Sequence, residues 1–177
     1  MHFSNITPNL TSQFQFLMYP PFNQRMPVRK TILVADDDAD DTFLLQRAFS
    51  KAKARADLHF VRDGEEAICY LRSEDQQKNP TPDLLLLDLK MPRLDGFSVL
   101  EWVRSQPGLK RLLVTVLTSS DSRLDINRAY DLGANSYLVK PFGNEHLIQL
   151  VEHLQTYWLG INFAPECDDL QPRQYGA

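Results

Sequence analysis

Four consecutive leucines, Leu84-Leu85-Leu86-Leu87, run straight into a carboxylate, Asp88, and then into the loop and turn Leu89-Lys90-Met91-Pro92-Arg93-Leu94-Asp95-Gly96. A segment with no polar face reads as a strand covered on both sides, the mark of a parallel sheet flanked by helices. Thr31–Ala35 is a second such run, and it also ends in carboxylates, Asp36-Asp37-Asp38. Open parallel sheets bind ligands beyond the carboxyl ends of their strands. Asp88 is therefore a candidate for chemistry, against the plainer reading that it only ends a strand.

The other elements follow from periodicity and punctuation. Leu44, Leu45, Ala48, Phe49 and Ala52 recur at helical spacing up to about Lys53, with Asp40 or Asp41 as the cap. Leu58–Val61 reads as a short strand, Asp63-Gly64 as a turn, and Ala67, Ile68 and Leu71 as one face of a second helix. Ser73–Pro82 is a polar loop before the strand Asp83–Leu87. A third helix carries Phe97, Leu100, Trp102 and Val103 and closes at Pro107-Gly108. Leu112–Leu117 is a fourth buried strand and Leu124–Leu132 a helix stopped by Gly133. Ser136–Val139 is a fifth strand, and Asn144 to about Trp158 the last helix.

Five strand–helix alternations predict an α/β, doubly wound (βα)5 domain around a five-stranded parallel sheet, flavodoxin-like, with strand order 2-1-3-4-5. The domain spans residues 29–159, between a flexible extension at 1–28 and a flexible tail at 160–177. Met26, just ahead of the first strand, is a second candidate translation start.

In that topology Asp36, Asp37, Asp88, Thr118 and Lys140 gather at the strand tips. Carboxylates held together repel unless a cation joins them, and hard oxygen ligands suit Mg²⁺. A carboxylate can also act as a nucleophile toward phosphorus. Phosphoryl transfer to it needs neutralisation of the equatorial oxygens, which Mg²⁺, the Lys140 ammonium and the Thr118 hydroxyl would supply. A calcium loop is the competing reading of Asp36, Asp38 and Asp40. It fails because Asp41 stands where the glycine belongs and Arg47 where the last ligand belongs.

From about Lys30 to Trp158 the chain resembles the receiver domain of two-component response regulators, through ILVADDD, LLLLDLKMPRLDG, VLTSS and YLVKPF. The resemblance implies that Asp88 is the phosphoacceptor for a sensor histidine kinase. It implies that Asp36, Asp37 and Asp88 hold Mg²⁺ with the backbone carbonyl of Lys90. It makes Thr118 and Tyr137 the switch pair and Lys140 the active-site lysine. It further implies a cis bond at Lys140-Pro141, and partner binding or homodimerisation through the fourth and fifth helices and the fifth strand. The Ser73–Pro82 loop and the ending Gln155-Thr156-Tyr157-Trp158-Leu159 are similar to those of small regulators paired with phytochrome-type kinases.

Other classes fit less well. A Mg²⁺-dependent phosphatase with an aspartate nucleophile wants a second acid two residues on, where Lys90 stands. A net charge of −4 gives nucleic acid no bulk attraction. The nineteen residues after Trp158 are neither basic nor long enough for a helix-turn-helix module. Cys69 and Cys167 lack metal-ligand spacing, and no apolar run reaches the length of a membrane span. The expected location is the cytoplasm.

Overall fold

In a computed structural model of the protein, which describes residues 29–163, the four leucines form the middle strand of the sheet. The strands are β1 (Lys30–Ala35), β2 (Ala56–Val61), β3 (Leu84–Leu87), β4 (Leu113–Thr118) and β5 (Ser136–Val139). All pair in parallel, in the predicted order β2-β1-β3-β4-β5. The helices are α1 (Ala39–Lys51), α2 (Gly64–Arg72), α3 (Gly96–Ser105), α4 (Arg123–Asp131) and α5 (Asn144–Leu154).

The strand period of two divides each strand between two cores. Leu84 and Leu86 join Ile32, Val34 and Leu113 against α1 and α5. Leu85 and Leu87 join Leu33, Val114 and Val116 against α2, α3 and α4. All four leucines are buried. At about 2 kcal/mol per buried leucine side chain, this strand contributes as much as the whole net stability of a small domain. That is why its register is not free to slip.

Helix ends follow side-chain chemistry. Asp38, not Asp40 or Asp41, caps α1, accepting from the backbone N–H of Asp40 at 2.8 Å and of Asp41 at 3.2 Å. A cap needs extended backbone, which Asp38 has, whereas Asp40 and Asp41 already lie inside the first turn. Asp63, expected as a turn residue, caps α2 through the N–H of Glu66. Gly133 follows α4 with φ of +92°, the left-handed stop its type allows. The last helix does not continue as α to Trp158. After Leu154 the chain widens into a π-helical segment, Gln155–Ile161, whose Trp158 and Leu159 pack on the α1/α5 core. The expected extension 1–28, Met26 and all but the first residues of the 160–177 tail lie outside the described residues.

The polar loop after α2 is anchored by Tyr70, which donates its hydroxyl to the Pro80 carbonyl at 3.0 Å. Burial pushes the Tyr70 phenol up to about 12. Because the folded value lies above the ordinary one, the folded state keeps this proton longer, and the stability it confers is lost as pH rises from about 10 to 12. Tyr70→Phe should flatten that part of the stability curve relative to the parent chain, as read by urea unfolding at pH 8 and pH 11. Parallel curves would show that the phenol carries no such linkage.

Candidate functional site

Register assembles the site. Ala35 pairs with Leu87, Leu87 with Val116, and Thr118 with Val139. The residues one step on, or at the last rung, are Asp36, Asp88, Thr118 and Lys140. Three backbone bonds carry the alignment past the ladder: Asp36 N–H to Val61 O at 3.0 Å, Asp88 N–H to Ala35 O at 2.9 Å and Lys140 N–H to Thr118 O at 2.8 Å.

Carboxylate oxygens of Asp36, Asp37 and Asp88 lie within 4.8 Å of one another. Asp36 and Asp88 are buried and Asp37 is exposed, so the group opens to solvent on one side. Burial pushes the Asp36 carboxyl up, against the opposing pull of Lys140. Asp88 Oδ1 accepts from its neighbours' backbone N–H groups, Leu89 at 2.7 Å and Lys90 at 3.3 Å, while Oδ2 faces Lys140 Nζ at 3.3 Å. Lys140 Nζ also meets Asp36 Oδ2 and Asp41 Oδ2, each at 2.8 Å. Burial alone would lower the Lys140 pKa, but the bonds to Asp36 and Asp41 outweigh it and raise it, so the ammonium stays charged.

Thr118 is fully buried, and its Oγ1 has no hydrogen-bond partner among the described residues. A buried hydroxyl at a strand tip without a partner is a donor in reserve. Tyr137 points toward the same loop, its hydroxyl donating to Ser120 O at 3.0 Å while Ser120 Oγ donates to Asp125 at 2.6 Å. Burial and the nearby carboxylates of Asp125, Asp88 and Asp121 raise the Tyr137 pKa, so it stays a neutral donor.

The structure thus brings together Asp36, Asp37, Asp88 and Lys140, places Thr118 at the adjacent tip, and sets Lys90 on the loop leaving Asp88. The calcium-loop alternative finds no support in the geometry, since Asp38 is committed to capping α1. The cis bond expected at Lys140-Pro141 is not found; no described peptide bond is cis. The trans form, which an X–Pro bond intrinsically favours, already lets Lys140 reach Asp36, Asp41 and Asp88.

Two features escaped the sequence reading. One is Asp41, three residues past the cap in the first turn of α1, where its carboxylate meets Lys140. The other is the bracing of the Leu89–Asp95 loop. Arg93, in left-handed backbone with φ of 64°, ion-pairs with the fully buried Asp63, and Gly64 N–H bonds Leu94 O at 3.2 Å. At the far end Gly96 donates to Leu89 O at 3.1 Å and lies flat on the Asp88–Leu89 backbone.

The family model described as response regulator receiver domain matches residues 32–152. The probable methanogenesis regulatory protein FilR2 of Methanothrix harundinacea is 38% identical over 134 residues, covering 76% of this chain and 86% of FilR2. Response regulator Rcp1 of Synechocystis sp. is 35% identical over 131 residues, covering 73% of this chain and 89% of Rcp1. The Mn²⁺-bound form of Rcp1 superposes with a TM-score of 0.70 at 33% identity, over 77% of this chain and 99% of that one. The phosphorylated cyanobacterial phytochrome response regulator RcpA superposes with a TM-score of 0.72 at 38% identity, over 78% of this chain and 100% of RcpA.

A Cβ at Gly96 would collide with the Asp88 carbonyl oxygen and lie 2.8 Å from Leu89 Cα. Both are backbone atoms of the site, with no side chain to swing away. Gly96→Ala should cost about 2–3 kcal/mol, a fall in Tm of about 4–10 °C. A melt within one degree of the parent's would show that the loop yields freely.

Proposed function

The chain belongs to the response regulator receiver domain family, and from that premise we propose that Asp88 is the carboxylate that accepts the phosphoryl group. Family membership makes the protein a two-component signalling switch with a histidine kinase as its partner and a divalent cation as its cofactor. The observation that carries the site assignment is the meeting of Asp36, Asp37, Asp88 and Lys140 at the tips of three strands.

The residues fit a divalent cation. Three carboxylates this close need more positive charge than one shared ammonium provides. Asp36, Asp37, Asp88 and the Lys90 carbonyl would hold Mg²⁺, an oxygen-seeking ion that retains waters. When bound it supplies two positive charges to the oxygens of the incoming group. A carboxylate oxygen of Asp88 forms the new O–P bond as the bond from phosphorus to the donor imidazole nitrogen breaks, the electron pair staying on that nitrogen. Lys140 offers its ammonium to a phosphoryl oxygen, and the unpaired Thr118 hydroxyl offers a hydrogen bond. Drawing Thr118 toward the new charge moves the loop that Tyr137 holds through Ser120, so the state of Asp88 becomes a change of surface. Water later attacks phosphorus, the O–P bond breaks, and inorganic phosphate leaves.

The likeness to the phytochrome response regulator RcpA supports a phytochrome-type kinase, and a cytoplasmic setting is part of the same proposal. Among the described residues no helix is long and apolar enough to cross a membrane. The surface that changes is formed by α4, β5 and α5. Leu124, Tyr130, Val139 and Phe142 are exposed there, which supports a partner or a second copy binding on that side. The phosphatase alternative gains nothing, because Lys90 is exposed and cationic where it needs a buried acid.

Acetyl phosphate with Mg²⁺ should add one phosphoryl group, seen as a mass shift that hydroxylamine reverses and EDTA prevents. Asp88→Asn should abolish it. Acid-stable label persisting in that variant would overturn the assignment.

A further inference from the structure

Lys140 is shared unevenly. Its two shorter contacts go to Asp36 and Asp41, and the longest, 3.3 Å, to Asp88. Asp36 is buried in the site itself, whereas Asp41 belongs to the first turn of α1 and its side chain is 41% exposed. From these contacts we infer that Asp41 is a positioning residue that competes with Asp88 for the Lys140 ammonium and so sets how readily the site takes a phosphoryl group. The inference rests on the assignment of Asp88 made above.

An anion arriving on Asp88 gains most from Lys140 if the ammonium moves onto it. Asp41 opposes that movement, since the ammonium must leave a 2.8 Å contact to make it. Removing Asp41 does not set Lys140 adrift. Its side chain is only 15% exposed and it keeps Asp36 at 2.8 Å. The loss is of a competitor, and the expected sign is tighter anion binding.

The test uses beryllofluoride, which occupies the phosphoryl position without turnover, titrated into the full chain with saturating Mg²⁺ and followed by ¹⁹F NMR. Asp41→Asn should bind it about fivefold more tightly, the factor that corresponds to losing one partly exposed ion pair. Asp40→Asn removes the same charge from the same turn and should stay within twofold of the parent. Asp41→Glu keeps the charge and should also stay within twofold. Equal tightening in Asp40→Asn and Asp41→Asn would reduce the effect to net charge and overturn competition. Weaker binding in Asp41→Asn would make Asp41 a support for Lys140, and also overturns it. Unchanged binding alongside a lowered Tm would leave Asp41 a purely structural role. No binding by the parent chain would instead overturn the assignment of Asp88.

Discussion

Three carboxylates within 4.8 Å of one another are an electrostatic load that the rest of the molecule is built to bear. Two like charges about 4 Å apart at a protein surface repel by roughly 4 kcal/mol. That is a large part of a domain's net stability. The chain answers with one ammonium, placed so that a single Nζ touches Asp36, Asp41 and Asp88. One positive charge among so many negative ones leaves a deficit. On the function proposed here, that deficit is what would make the site receptive to a divalent cation, and through it to a phosphoryl group. A fully neutralised cluster would be more stable and inert.

Holding such a cluster requires rigidity from elsewhere, and the buried leucines supply it. A slip of one residue in β3 would exchange Leu84 and Leu86 with Leu85 and Leu87 between the two cores and carry Asp88 out of reach of Lys140. The apolar burial therefore fixes the position of a charge. The loop beyond Asp88 is secured separately, by Gly96 against the backbone on one end and by the Arg93–Asp63 pair on the other. The left-handed backbone at Arg93 costs about 1–2 kcal/mol for a non-glycine residue. The ion pair to a carboxylate with no solvent exposure offsets it, since Asp63 unpaired would be costlier still.

Most of this was legible in the residues because it lies where period and punctuation meet. Asp36, Asp88, Thr118 and Lys140 each end an apolar run, and a parallel topology leaves them one place to gather. The apolar run Ser136–Val139 coincides with the bounds of β5. What was not legible depends on contacts between distant segments. Asp41 differs from Asp40 only in pointing at Lys140, 99 positions away. Asp38 and Asp41 could exchange roles on composition alone; extended backbone at residue 38 decides which one caps. The widening of the last helix after Leu154 leaves no mark in apolar spacing, because Trp158 packs inward in either winding.

The two-faced strands also explain how one new charge could be felt on both sides of the sheet. In β5, Leu138 packs with the α1/α5 core while its neighbour Tyr137 packs with the core beneath α4. In β4, Leu117 and Thr118 divide in the same way, the leucine toward α1/α5 and the hydroxyl toward the other face. Asp88 sits between the two strands' tips and Asp36. Under the proposed assignment, a charge added to it would draw Lys140 on the side of Asp41 and α1, and would meet the unpaired Thr118 hydroxyl on the side of α4. The alternation that lets a parallel sheet bury both its surfaces also gives its edge residues a hold on both helical layers. On the proposed function, a carboxylate at the tip of a central strand would thus move surface far larger than itself.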